Sequence, residues 1–126
     1  MRGYTVEEMF DLIQSDDFLE KIFQKKVDWD VRLDARDNED FDKKWVEEKT
    51  KISSVTSAGY DAGKLKKIRE ATFKKIYRIT SSSELAGYAS DDLGLIAETF
   101  MKGLNSDWID WLVENYLAGD FPTKLN

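Results

Sequence analysis

Apolar residues recur at helical intervals along most of the chain. Val6, Met9, Phe10 and Ile13 fall three and four positions apart. They follow Thr5-Val6-Glu7-Glu8, which fits a capping box: the Thr hydroxyl accepts from an early backbone N–H while Glu8 reaches back. Tyr4 and Met9 are spaced to form the accompanying hydrophobic staple. Ser15-Asp16-Asp17 offers another N-cap, with acids in the favourable first turn, ahead of Leu19, Ile22, Phe23 and Val27. Asp37 or Asn38 caps a further helix carrying Phe41, Trp45, Ile52 and Val55. Residues 64–79, KLKKIREATFKKIYRI, form the clearest amphipathic helix, with Leu65, Ile68, Thr72, Ile76 and Ile79 on one face and Phe73 beside it. Ser81-Ser82-Ser83-Glu84 predicts a capping box opening a short helix through Leu85 and Tyr88. Ser90-Asp91-Asp92 predicts the cap of a separate helix with Leu93, Ile96, Ala97, Phe100 and Met101. Ser106-Asp107 caps the last, with Trp108, Ile109, Trp111, Leu112 and Tyr116, and Gly119 sits where a left-handed terminating residue is wanted before Pro122.

One stretch departs from this period. Val27, Trp29, Val31 and Leu33 alternate with Asp28, Asp30, Arg32 and Asp34, the two-residue repeat of a half-buried strand. A strand needs a partner for its backbone, and the run around Lys51 to Ser57 is the only candidate. The expected fold is therefore mainly α, a compact bundle of about six or seven short helices, with a minor β-hairpin near residues 27–34 and 51–57. The competing arrangement there is an extended segment with Trp29 and Leu33 tucked into a helical core. With 126 residues, 41% of them hydrophobic and 13% aromatic, residues 1–126 are expected to form a single globular domain.

Composition removes whole classes of chemistry. There is no cysteine, hence no disulfide or thiolate chemistry, and a cytoplasmic location is expected. There is no histidine, which closes off serine or cysteine hydrolase triads, the usual zinc sites and histidine phosphotransfer. Two acids precede the first apolar cluster, unlike a signal peptide, and no run approaches eighteen apolar residues. The seven glycines are scattered singly, without a dinucleotide-binding or P-loop pattern.

The net charge of −6 conceals a strong asymmetry. Residues 1–50 hold nine Lys or Arg against fifteen Asp or Glu, residues 51–80 eight against two, and residues 81–126 two against eight (−6, +6, −6). The densest acidic stretch is VDWDVRLDARDNEDFD, residues 27–42, with seven acids in sixteen positions. Laid on an EF-hand template from Asp28, it places Arg32 in the coordination ring and Leu33 where glycine is required, so calcium is not expected. Asp91, Asp92 and Asp107 fit helix caps better than a magnesium site. Neither a metal nor a cofactor is expected.

What remains is recognition of another protein. An acidic helical domain with few catalytic tools suits a basic partner by charge complementarity. In general character it is similar to small acidic bacterial immunity proteins, an analogy of composition carried by no residue motif. The expected function is thus a non-catalytic acidic protein-binding module, an inhibitor or immunity-type protein. Asp28, Asp30, Asp34, Asp37, Glu39, Asp40 and Asp42 form its contact surface. One alternative is a nucleic-acid-associated regulator using Lys66, Lys67, Arg69, Lys74, Lys75 and Arg78. It is disfavoured by a pI of 4.7, and the cations of that helix are expected to face acids from residues 34–48 within the fold. A carboxylate enzyme is the second alternative; it requires a pocket with two acids of raised pKa.

Overall fold

Helix caps set most of the element boundaries. The computed structural model describes residues 5–123. Its elements are α1 (Val6–Gln14), α2 (Phe18–Phe23), α3 (Trp29–Arg36), α4 (Glu39–Ser53), α5 (Ala62–Thr80), α6 (Ser83–Met101) and α7 (Asp107–Leu117). The capping box at Thr5 is complete: the Glu8 N–H donates to the Thr5 hydroxyl and the Thr5 N–H to the Glu8 carboxylate, both at 3.1 Å. The Tyr4 staple lies outside the described residues. Asn38 caps α4 by accepting from the Asp40 N–H at 3.0 Å, and Ser106 caps α7 by accepting from Ile109 at 3.2 Å. Asp17 precedes α2 without a side-chain cap bond, and Asp61, accepting from the Lys64 N–H at 3.0 Å, starts α5 two residues before its charged run.

Gly119 ends α7 in a Schellman motif. Its own N–H donates to the Tyr116 carbonyl at 3.1 Å, the Asp120 N–H donates to Asn115 at 2.9 Å, and its φ is +88°. Gly119→Ala is expected to cost about 1–2 kcal/mol, because a Cβ is strained in the left-handed region. The measurement is a lower urea midpoint at unchanged slope.

After α5, Ser81 (φ 58°) and Ser82 reverse the chain, and α5 and α6 pack along their lengths. Residues 92–99 of α6 are all buried, the mark of a central helix. Helices α1, α4, α5 and α7 pack on it, and α2 lies against α1 and α5. Apolar side chains from all seven helices, with Phe121, form one core cluster.

Two expectations are corrected. No strand forms among the described residues: 29–36 is helical, Asp28 caps it by accepting from the Val31 N–H at 3.2 Å, and 51–53 simply finish α4. Trp29 and Leu33 do face the core, and Arg36 completes their stripe at intervals of four and three. Because that third inward position is a charge, the helical period is hidden and the chance alternation stands out. Likewise, Ser90-Asp91-Asp92 caps nothing. Ser82 caps a single α6 by accepting from the Leu85 N–H at 3.1 Å, one register later than the expected box, and Asp92 lies fully buried in mid-helix.

Candidate functional site

The seven acids of the 28–42 stretch are all exposed. Asp30, Asp34 and Asp37 recur at four and three along α3, and Glu39, Asp40 and Asp42 occupy the start of α4, where the helix dipole favours negative charge. Two have structural tasks as well. Asp28 caps α3, and Asp37 accepts from the Tyr88 hydroxyl, a bond that, with burial and the negative charge, pushes the Tyr88 pKa up to about 12. No ion pair among the described residues involves any of the seven. Val31, 61% exposed, and Val46, 50% exposed, give the same helices apolar surface beside the acids. The result is an acid-rich surface on α3 and α4, with Arg32 and Lys43 as its local cations, in which none of the seven acids is held in an ion pair among the described residues.

That face is held by a buried ion pair. Arg36 forks onto Asp92 with Nη1 to Oδ2 and Nη2 to Oδ1, each 2.8 Å, and the two side chains are 3% and 0% exposed. Asp92 also accepts from Trp45 Nε1 at 2.9 Å and from the Tyr116 hydroxyl at 2.7 Å. The guanidinium lies 4.4 Å from the Phe41 ring centroid, 4.9 Å from that of Phe121 and 5.3 Å from that of Tyr88. Burial alone would lower the Arg36 pKa, but the Asp92 carboxylate outweighs it and the net direction is up. Burial first, then Asp92, drives the Tyr116 pKa well above its ordinary value. One charge from α3 is thus joined to α6, α4 and α7. Sequence reasoning missed both partners, because Arg36 stood just past the alternating stretch and Asp92 in N-cap syntax.

A second buried pair of carboxylates ties α4, α6 and the α7 cap together. Glu98 accepts from Lys102 at 2.8 Å and Lys49 at 3.2 Å; Glu48 accepts from the Ser106 hydroxyl and from Lys51 at 3.3 Å. Burial raises both pKa values, but these donors outweigh it and hold both below the ordinary 4.5. A depressed folded pKa contributes stability that is fully present above the unfolded value and lost as pH falls through the folded one. Unfolding is therefore expected to become easier on acidification below about pH 4.5. Glu98→Gln should flatten that acid dependence while leaving a less stable protein at neutral pH, as read from urea midpoints across pH.

The basic helix is only partly a free surface. Lys75 pairs with Glu20 at 3.4 Å and donates to the Ile13 and Ser15 carbonyls; Arg69 pairs with Asp91, Lys66 with Glu70 at 3.9 Å, and Lys64 with Glu7. The expected pairing with acids of residues 34–48 does not occur, since α5 packs against α1, α2 and α6 and takes its anions from them and from its own Glu70. Lys67, Lys74 and Arg78 alone of the six proposed nucleic-acid residues enter no ion pair among the described residues. The carboxylates whose pKa departs from the ordinary value, Glu7, Glu48 and Glu98, all shift downward, opposite to what an acid catalyst needs. No group of three or more metal-ligating side chains stands together among the described residues.

No helix of the described residues is long and apolar enough to cross a membrane. No curated protein shows a significant match to the sequence. A family model described as immunity protein PIM1 matches residues 8–123, most of the sequence: the chain belongs to the PIM1 immunity protein family.

Proposed function

We propose that this immunity protein neutralises its toxin by binding it, without chemistry of its own, and that the acidic face of α3 and α4 meets a basic surface on that toxin. The observation that carries the reading is the density of exposed acids on two adjoining helices, none of them in an ion pair with a described residue. An excess of like charge on a folded surface costs stability through self-repulsion, and a complementary partner relieves it while steering the encounter. Val31 and Val46 supply apolar contact at the same face. Asp28 and Asp37 belong to the surface but also hold the fold, so Asp30, Asp34, Glu39, Asp40 and Asp42 are the acids most directly available to a partner, and Asp30, Asp34 and Asp42 sample both helices.

The test is capture with the full chain as bait, at low and high salt, followed by binding measurements with the purified toxin so identified. A toxin domain with a basic surface, released at high salt, supports the reading. A toxin held equally at both, and still held after Asp30→Lys, Asp34→Lys and Asp42→Lys together, overturns it.

A further inference from the structure

Five large apolar side chains stay exposed among the described residues: Val31, Val46, Tyr60, Phe73 and Tyr77. Two of them belong to the acidic face. Phe73 and Tyr77 lie one turn apart on the outer side of α5, their rings stacked with centroids 6.3 Å apart and planes 6° from parallel. About 100° round the helix from Phe73 and Tyr77, Lys67, Lys74 and Arg78 form a second exposed stripe, at intervals of seven and four. These three are also the α5 cations that enter no ion pair with a described residue. The molecule therefore carries two incomplete faces of opposite sign, each with apolar groups beside its charges. They do not meet within one chain, because α5 packs on α1, α2 and α6.

We infer that the two faces dock on each other between copies of this chain. In this head-to-tail self-association the acids of α3 and α4 meet Lys67, Lys74 and Arg78 of the next copy, and Val31 and Val46 cover Phe73 and Tyr77. Pairing like with like is disfavoured, since it would set three cations against three cations, or seven acids against seven. Aromatic and arginine side chains are also the groups that contribute most where protein surfaces meet. The net charge of −6 opposes approach at long range, so the contact forms at high protein concentration and by local complementarity. A heterologous contact does not close on itself, and assemblies lengthen with concentration unless the rotation completes a ring. The acidic face is shared with the toxin under the reading above, so the two contacts exclude each other; only this competition rests on that reading.

Sedimentation velocity of the full chain over a concentration series tests the contact. It is run at about 10 mM salt, where charges act over about 30 Å, and at about 1 M, where they act over about 3 Å. Growth of the sedimentation coefficient with concentration is expected at low salt and is lost at high salt. Asp30→Asn with Asp34→Asn and Asp42→Asn should be monomeric, and so should Lys67→Gln with Lys74→Gln and Arg78→Gln. Mixed, the two variants should form a two-chain species and nothing larger, because each keeps one intact face. Asp34→Asn and Lys74→Gln singly, which break no hydrogen bond or ion pair among the described residues, carry the same test if a triple variant loses helicity. A wild-type monomer at every concentration in low salt, association that survives high salt, or variants that fail to pair on mixing would overturn the inference. The lysine and arginine variant should still bind the toxin, which separates failure of this contact from failure of the proposed function.

Discussion

Asp92→Ala is expected to lower stability by about 3–5 kcal/mol, the cost of leaving a buried partner charge uncompensated. The substitution strands more than one group. The Arg36 guanidinium would remain 3% exposed, enclosed by Phe41, Tyr88 and Phe121, with no anion opposite it, and the Trp45 N–H and Tyr116 hydroxyl would lose their shared acceptor. Arg36→Ala is expected to cost a similar amount by burying the carboxylate unpaired and opening a void among the three rings. Removing both charges with Arg36→Met and Asp92→Leu should recover much of the loss, since apolar replacement of a whole buried pair is often neutral or better. Urea unfolding of the two single variants and the double variant measures this as a double-mutant cycle. A sum of single effects equal to the double effect would mean that the two side chains do not act as a pair.

The same ion pair explains where the sequence was readable and where it was not. Helix starts marked by a side chain adjacent to the cap were legible: Thr5 with Glu8, Asn38 and Ser106 each make the bond their residue type suggests. Stripes with no inward charge were legible too, as on α5, where Leu65, Ile68, Thr72 and Ile76 are buried. Beyond slips of a residue or two at helix starts, the failures fall on inward-facing charges. Arg36 is the third inward residue of α3, and Asp92 sits at the heart of α6. A reading that assigns charges to the outside breaks α6 at Asp92, sees alternation in place of α3, and turns to Val55 for a stripe that Glu48 in fact completes on α4. A buried charge is legible only with its partner, and Arg36 and Asp92 lie 56 residues apart. The exposure of the candidate acids was legible because it is the ordinary fate of such residues. That no described cation pairs with them follows from how α5 packs, which the sequence does not display.

Reversing Asp30, Asp34 and Asp42 to lysine is expected to weaken toxin binding on the order of a thousandfold, taking about 1.4 kcal/mol, or a factor of ten, for each charge turned from attractive to repulsive. Stability should change far less, because none of the three makes an ion pair or side-chain hydrogen bond with a described residue. The loss has a characteristic division. Charges at an exposed face act on encounter, so the association rate should fall and its dependence on ionic strength should flatten, while dissociation changes by a smaller factor. Val46→Ala is the complementary case: it removes apolar contact without altering the field, so it should speed dissociation and leave the salt dependence of association intact. Stopped-flow association over a salt series with the purified toxin distinguishes them. If the triple lysine variant bound as fast as the wild type at low salt, the acids of α3 and α4 would be solubilising groups, and the toxin would meet some other face.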